Sequence, residues 1–460
     1  MTDLMSLLQR QRAAALAEPL PHWVTRQRRL RQLRALLIEN RDAIGAAIDA
    51  DFAGRPREET DLLEIFPSLS GIDYALKHTR RWMKPKRQWA NLMFLPARTT
   101  LTPQPVGVVG VIVPWNYPLY LAVGPLTDAL AAGNRVMLKM SELTPAFSAR
   151  FAELVSRYFA DDEVAVVQGD AEVGKAFSAL PFDHLLFTGS TAVGREVMRA
   201  AAEHLTPVTL ELGGKSPAIV GPGARFDNAV QRIVYGKLVN AGQTCIAPDY
   251  ALVPRERVDE FVQQATAAIT ASYPDLRNNS QYASIISSRH RERLAAVLDD
   301  AKQQGATIHT VATVRDAAFA PTLVTGVSDS MRIMREELFG PLLPVVAYDT
   351  LDEAIAYINR HDRPLALYVF DDNDTNVRNV LERTHAGGVT VNDTLFHIAQ
   401  HHLPFGGIGP SGMGSYHGEA GFQRFSHRKP VLRQARLNGA KMLAPPYGRL
   451  FKNLASRLLR

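Results

Sequence analysis

Cysteine is nearly absent: one thiol, Cys245, stands in 460 residues. The chain can therefore form no intramolecular disulfide and asks for no oxidising compartment. Long apolar runs are missing too. No window approaches the roughly 20 apolar residues of a membrane-spanning helix. The start, M-T-D-L-M-S-L-L-Q-R-Q-R, lacks the basic opening and unbroken apolar stretch of a secretory signal. A soluble, cytoplasmic protein is expected, with neither an internal repeat nor a low-complexity tract. The net charge of +6 suggests a polyanion partner at first sight. Yet the densest basic run, Arg26 to Arg34, carries Leu30, Leu33 and Leu37 at helical spacing, so its arginines read as the wet face of an amphipathic helix. No aromatic residues interleave with that charge and no nucleic-acid module is present, so no nucleic-acid partner is expected.

What is present is enough hydrophobic residue, 46%, for more than one core, because single cores stop growing near roughly 250 to 300 residues. Helical patterns run to about Met83, followed by a stretch from Lys84 to Pro105 punctuated by Lys, Arg and Pro. From Gly107 the texture changes. G-V-V-G-V-I-V reads as a buried strand, and the window from Tyr117 towards Ala132, closed by Gly133 and Asn134, reads as a helix. R-V-M-L-K, E-V-A-V-V, H-L-L-F-T and P-V-T-L-E repeat the strand pattern, with helices over Ala146 to Phe159 and Gly194 to His204 between them. After Gly213 the alternation restarts in S-P-A-I-V, a helix from Asp227 through Val239, Y-A-L-V-P, V-V-A-Y and L-A-L-Y-V-F. Such alternation predicts α/β architecture, two doubly wound parallel-sheet lobes meeting near Glu211 to Lys215.

Parallel sheets bind ligands at the carboxyl ends of their strands. Three loops there are unusual: Pro114 to Pro118, Lys139 to Glu142, and Thr188 to Gly194. The last resembles a dinucleotide fingerprint, but its spacing is G-S-T-x-x-G, with Thr191 where a middle glycine would stand, and a plain tight turn fits it equally well. Lys139 and Glu142 suit a ribose, or form a solvated pair. Cys245 follows Gly242-Gln243-Thr244, where exposed backbone N–H groups would favour the thiolate; the alternative is an inert small hydrophobe. Glu211, ending a strand before Leu212-Gly213-Gly214, is placed to act as a general base at the lobe seam, or is a surface ion pair.

The set is more specific than its members. P-W-N-Y-P, K-x-S-E-x-T-P, F-T-G-S-T-x-x-G, E-L-G-G-K-S-P, N-A-G-Q-T-C, E-E-L-F-G-P and P-F-G-G-x-G-x-S-G-M-G occur in that order from Pro114 to Gly414. Together they resemble the aldehyde dehydrogenase superfamily. G-Q-T-C-I-A-P-D-Y, S-G-M-G-S-Y-H-G and F-S-H-R-K-P-V-L are similar to its class 3 branch. W-M-K-P-K-R, the P-Q-P-V-G-V-V-G-V-I-V-P-W-N-Y-P-L-Y-L run and the P-P-Y-G tail are similar to bacterial coniferyl aldehyde dehydrogenases.

The resemblance implies NAD(P)-dependent oxidation of an aldehyde to its acid. Cys245 would be the nucleophile, forming a thiohemiacetal and then a thioester. Asn116 and the Cys245 N–H would hold the oxyanion, and Glu211 would activate water. On the cofactor side it implies Trp115, Lys139, Glu142, Gly189, Ser190, Gly194, Glu337 and Phe339. Glu142 favours NAD, since a carboxylate repels a 2′-phosphate, with NADP still possible. Tyr117 and Tyr416, with Trp115, would line a tunnel for coniferaldehyde, while relatives with similar aromatics take medium- or long-chain aliphatic aldehydes; Tyr416 reads equally as a packed core residue. No metal is expected, since His397, His401 and His402 lack cysteine or carboxylate partners at ligand spacing.

The domain boundaries expected are 1–87 with 106–213 for the cofactor lobe and 214–426 for the catalytic lobe. Residues 88–105 and 427–445 would form an oligomerisation arm giving a homodimer, or an ordinary intramolecular hairpin. The basic tail, 446–460, is expected to pack against its own domain. Two rival classes remain on sequence grounds: a cofactor-independent cysteine esterase and a catalytically silent binding protein.

Overall fold

A computed structural model of the chain describes residues 3–91, 94–438 and 444–458. Five helices open it: α1 (Leu4–Ala17), α2 (Trp23–Glu39), α3 (Arg41–Phe52), α4 (Arg57–Thr60) and α5 (Phe66–Trp82). Asp3 caps α1 by accepting from the Met5 and Ser6 N–H groups. Strands β1 (Lys86–Gln88) and β2 (Arg98–Pro105) follow. The first α/β unit is then β3 (Val108–Ile112), α6 (Tyr120–Ala132), β4 (Arg135–Lys139), α7 (Pro145–Tyr158), β5 (Val164–Val167), α8 (Ala171–Ser178), β6 (His184–Thr188), α9 (Thr191–Ala202) and β7 (Val208–Glu211). Its strands are nearly continuous runs of Val, Leu and Ile because helices cover both faces.

The second unit carries β8 (Pro217–Val220), α10 (Phe226–Leu238), β9 (Tyr250–Pro254), β10 (Thr307–Thr310), β11 (Thr322–Thr325), β12 (Leu342–Tyr348), β13 (Ala366–Phe370) and β14 (Gly388–Val391), and the chain closes through β15 (Gly412–Met413) and β16 (Ser426–Arg433). Three sheets result: β15-β7-β6-β3-β4-β5, β10-β11-β12-β9-β8-β13-β14, and a small β1-β2-β16. The two large sheets are parallel except at one edge each, where β15 runs antiparallel to β7 and β10 to β11. The α/β class and paired parallel sheets are as the sequence predicts. The short edge strand Gly412–Met413 is not: it lies within the stretch assigned to the second lobe yet completes the first sheet, because Gly412 pairs with Glu211 itself. The Thr-rich strands β10 and β11 escape a search for apolar runs.

Side chains alternate across the first sheet. Val109 and Val111 face the large core shared by both units, whereas Val108, Met137, Leu185 and Phe187 face a smaller one closed by Leu7 and Leu8 of α1. α6 is apolar on nearly all sides and almost wholly buried. Gly133, at φ 96°, ends it in the left-handed conformation that glycine adopts without strain. The final carbonyls of α6 find an unexpected donor. Arg26, which the sequence places on a wet face, is 2% exposed and donates to the carbonyls of Ala131 (3.0 Å) and Ala132 (2.6 Å). Arg29 is also buried and pairs with Glu163 at 2.9 Å. Leu30, Leu33 and Leu37 do face the core. The wet-face reading therefore fails for these two arginines, since a buried helix end needs polar partners.

The arm residues form a three-stranded antiparallel sheet within the chain, β2 pairing β1 on one side and all eight residues of β16 on the other. Arm positions 92–93 and 439–443 lie outside the described residues, as do tail positions 459 and 460. The tail forms a helix, Arg449–Leu458, with Leu450 74% exposed and the Tyr447 and Phe451 rings 4.7 Å apart. Most of its described side chains are exposed, with Phe451 and Ala455 half-buried, so the close packing on its own domain expected from sequence is not seen among them. Among the described residues, no helix is long and apolar enough to cross a membrane.

Candidate active site

Neighbouring β6, β3 and β4 place their carboxyl ends side by side, Ile112 standing in register with Phe187 on one side and Lys139 on the other. The loops holding Trp115 to Tyr117, Lys139 to Glu142 and Gly189 to Gly194 thus open on one edge. Lys139 is buried, donates to the Met140 carbonyl at 2.7 Å and lies 3.7 Å from the half-exposed Glu142 carboxylate. Burial lowers its pKa against the pull of Glu142. Ser190 caps α9 through the Val193 N–H and is itself exposed. A Cβ on Gly189 would overlap the Phe187 ring, and one on Gly194 would stand 2.7 Å from Leu212, so both glycines let backbone pack closely. An exposed helix N-terminus, a carboxylate and an ammonium in this arrangement fit a dinucleotide's pyrophosphate and ribose.

The loop leading to Cys245 is wound tightly. After α10 the chain takes three left-handed residues, Asn240 (φ 50°), Ala241 (φ 50°) and Gly242 (φ 76°). Strain of about 1–3 kcal/mol at each non-glycine position persists only if surrounding bonds over-determine the turn. They do. Glu59 accepts from the Asn240 N–H at 3.0 Å, and the Asn240 amide donates to the Asn116 carbonyl at 3.1 Å. Gln243 donates to the carbonyls of Asn240 and Ser284 and accepts from the Ile286 N–H. Asn116 reaches across with its side-chain amide to the Gln243 carbonyl at 3.1 Å, and Tyr117 bonds Thr244 through their hydroxyls at 2.6 Å. Asn116 and Tyr117 are thereby fixed against the two residues preceding Cys245. The second hydrogen of the Asn116 amide remains for another acceptor.

Electrostatics correct one expectation. Cys245 keeps a partly exposed surface, yet protein surrounds it closely enough that burial pushes the thiol up to about 12, with the Glu337 and Glu211 carboxylates adding to the rise. The N–H groups of Cys245 and Ile246 pull the other way, as expected from sequence, but they lose. Glu211 is 2% exposed with neither carboxyl oxygen hydrogen-bonded, and burial holds its pKa well above the ordinary range. It is no surface ion pair. Glu337 rises to about 8, from burial first and then from Asp249. Its carboxylate covers Gly213, where a Cβ would overlap it, and its buried Oε1 has no partner among described residues. Both carboxylates thus oppose ionisation of the Cys245 thiol at the seam.

The Glu337 loop is held by cations to which the sequence assigns no role. Arg293 donates to the Glu337 carbonyl at 3.2 Å and to that of Leu338. Lys215 pairs with Asp249 and donates to the carbonyls of Ile333 and Glu336. Lys237, fully buried, lies 3.9 Å from Asp249, and burial lowers its pKa to about 8. Phe339 takes φ 48° and meets Trp115 edge-on at 5.3 Å. Tyr416 is buried, its phenol raised by burial and then by Glu211, Tyr120, Asp128 and Cys245 around it. Tyr117 turns its hydroxyl to Thr244 rather than into open space. His401 bonds Ser70, and His397 bonds Thr390. Also missed were Arg55, Glu59 and Glu64, which no spacing in the sequence connects with Asn116, and Asn240 and Gln243, visible in N-A-G-Q-T-C but without an assigned role.

Comparison with known proteins places this geometry. The aldehyde dehydrogenase family profile matches residues 11–431. The chain is 54% identical to the "Probable coniferyl aldehyde dehydrogenase" of Pseudomonas aeruginosa, covering 99% of this chain and 96% of that protein. It is 47% identical to the coniferyl aldehyde dehydrogenase of Pseudomonas sp. strain HR199, with the same coverage. Among solved structures, the substrate-bound AldH of Staphylococcus aureus superposes with a TM-score of 0.94 at 35% identity over the whole of both chains. Betaine aldehyde dehydrogenase from the same organism, in complex with NAD+, superposes at 0.85 with 28% identity, covering 95% of this chain and 88% of that one. The Cys245 thiol, whose ionisation the Glu211 and Glu337 carboxylates oppose, lies within the stretch matched throughout, and the protein belongs to the aldehyde dehydrogenase family of oxidoreductases.

Proposed function

We propose that this enzyme is a cytoplasmic, NAD-dependent dehydrogenase of aromatic aldehydes, with coniferaldehyde or a close phenylpropenal as substrate. The observation that carries the reading is that the Asn116 amide is bonded to Gln243, two residues before Cys245, while the buried Glu211 carboxylate acts on the Cys245 thiol. The substrate class rests on similarity to the coniferyl aldehyde dehydrogenases. Lys139 and Glu142 would hold the adenine ribose, Ser190 the pyrophosphate and Glu337 the nicotinamide ribose, with Gly189 and Gly194 shaping the turn and Trp115 and Phe339 packing beside the ring. Glu142 disfavours a 2′-phosphate, so NADP is the poorer cofactor. When bound, the nicotinamide supplies the hydride acceptor.

This chain's own residues do the rest. The Cys245 sulfur adds to the aldehyde carbon, and the Asn116 amide and Cys245 N–H hold the resulting oxyanion. After oxidation the substrate is a thioester on Cys245. Glu211 takes a proton from water, whose oxygen attacks the acyl carbon, and the thiol leaves. One aldehyde, one NAD+ and one water give one acid, one NADH and one proton. Tyr416, buried beside Glu211 and Cys245, would border the acyl group, and Tyr117 would brace the nucleophile loop. On this reading 1–87 with 106–213, completed by the edge strand Gly412–Met413, form the cofactor half, and the rest of 214–426 the catalytic half. The β1-β2-β16 arm would join two copies into a homodimer; light scattering at a monomer mass would refute that part.

The test is purified protein with NAD or NADP and a panel of coniferaldehyde, benzaldehyde and aliphatic aldehydes, following NADH and identifying the acid. Selective oxidation of coniferaldehyde is expected. Preference for aliphatic aldehydes would discard the substrate class and keep the chemistry, and ester hydrolysis without any cofactor-dependent oxidation would discard both.

A further inference from the structure

We propose that the buried Arg55–Glu64 pair positions the oxyanion-binding amide of Asn116, a role that rests on the aldehyde-oxidation reading above. Both side chains are fully buried and 2.8 Å apart. Each makes a second set of bonds to the same loop. Arg55 Nη1 donates to the Asn116 carbonyl at 2.9 Å. Glu64 Oε2 accepts from the Leu119 N–H at 2.7 Å and the Tyr120 N–H at 3.1 Å. One partner grips the front of the loop, the other its end where α6 begins, and the ion pair ties the two grips together. The guanidinium is also packed against the Phe52 and Tyr117 rings, at 5.0 and 4.8 Å from their centroids.

The local chain is built to present these groups inward. Ala53 (φ 52°) and Gly54 (φ 122°) reverse the chain after α3, and the Arg55 N–H is fastened to Asp49 at 2.9 Å. Glu64 lies in a five-residue π-helical turn, Asp61–Ile65, a rare geometry concentrated at functional sites. Stability alone does not account for the pair. Burying two charges is expensive, and well-packed apolar residues in their place are often as stable or more so. What apolar residues would lack is the set of three bonds to residues 116–120. With its carbonyl held by Arg55 and Asn240 and one amide hydrogen held by Gln243, Asn116 keeps a single N–H whose direction the neighbours set. A displacement near 1 Å at such a donor lowers rates by about 100-fold.

Full-length Glu64→Gln and Arg55→Lys enzymes would be compared with Asn116→Ala and with the double variant Asn116→Ala/Glu64→Gln. Each is assayed with NAD and the best aldehyde of the panel, and each is alkylated at Cys245 with iodoacetamide, a displacement that forms no oxyanion. Glu64→Gln is expected to lower kcat/KM by about 10- to 100-fold, mainly through kcat, with alkylation unchanged within about twofold. The double variant should be no slower than Asn116→Ala, because the pair acts through that amide. Arg55→Lys, which keeps a cation opposite Glu64, should show a smaller loss in the same direction and serves if Glu64→Gln does not fold. Full activity in Glu64→Gln beside an impaired Asn116→Ala, losses that multiply in the double variant, or alkylation falling in parallel would each overturn the positioning role alone. A wild-type enzyme that oxidises no aldehyde, or an undiminished Asn116→Ala, would overturn the underlying reading and this role with it.

Discussion

The acidity of Cys245 offers a sharp test because the chain has no second thiol to confuse the readout. Burial and the Glu337 and Glu211 carboxylates move the thiol from 9.0 to about 12, a differential of about 4 kcal/mol against the thiolate. At pH 8 about one molecule in 10⁴ carries the thiolate, against about one in ten for an unperturbed thiol. Alkylation by iodoacetamide, scored by mass as a single adduct, should therefore accelerate about tenfold for each pH unit from 7 upward without reaching a plateau. The slope, not the absolute rate, is diagnostic, since restricted access also slows the reagent. A plateau near pH 8 would refute the reasoning. It would mean that the Cys245 and Ile246 N–H groups outweigh burial, as the sequence alone suggested.

Three further outcomes are expected. Glu211→Gln, nearly isosteric at a site where neither carboxyl oxygen has a bond to lose, should release one NADH per subunit in a burst and then turn over about 10²- to 10⁴-fold more slowly; a wild-type steady state would remove Glu211 as the base. Gly242→Ala should unfold the loop leading to Cys245, because the new Cβ would stand 2.6 Å from the Gly340 carbonyl carbon and 2.9 Å from the Lys237 oxygen at φ 76°. A loss of at least about 2 kcal/mol is expected from calorimetry, and an unchanged melting temperature would contradict the strain. Buried His184 and His417 are held neutral, their pKa values lowered from 6.5 to about 3 by burial. The unfolded chain binds more protons below pH 6.5, so their stabilising neutrality is complete above that pH and lost as pH falls towards 3. Between pH 7 and 5 each should remove about 2 kcal/mol, and a His184→Gln denaturation series that falls as steeply as wild type would refute it.

Much of this enzyme is legible in its sequence where one physical rule acts alone. Continuous Val, Leu and Ile runs give β3, β4, β6, β8, β9 and β13, because strands covered on both faces have no polar alternation to hide them. Gly133 ends α6 where the pattern says it should. The candidate nucleophile and base are legible because Cys245 follows Gly242-Gln243-Thr244 and Glu211 ends a strand before Gly213-Gly214, whereas Asn116 is legible only through the resemblance. Illegible were contacts that depend on tertiary burial. Nothing about Glu64 in L-L-E-I announces that a π-helical turn aims it at the Leu119 and Tyr120 N–H groups. Arg26 and Arg29 look solvated at helical spacing until α6 is seen to end against the first and Glu163 to meet the second.

The same contrast explains the chain's excess of positive charge. No polyanion is needed to account for it, since several of its cations are used inside the fold on backbone carbonyls. Arg26 closes the end of α6, Arg55 holds Asn116, and Lys215 and Arg293 hold the loop that carries Glu337. A carbonyl in a dry interior needs a donor, and a long cationic side chain can reach one from a distant element where a backbone N–H cannot. These reaches connect the N-terminal helices and the second unit to the seam. At the seam, burial is the largest cause that moves the Glu211 and Glu337 carboxyls and the Cys245 thiol away from their ordinary acidities. A cation that fixes a loop therefore does two things at once: it satisfies backbone carbonyls that burial would otherwise orphan, and on the proposed reading it helps hold the Asn116 amide and the loop of Glu337 in place beside Cys245.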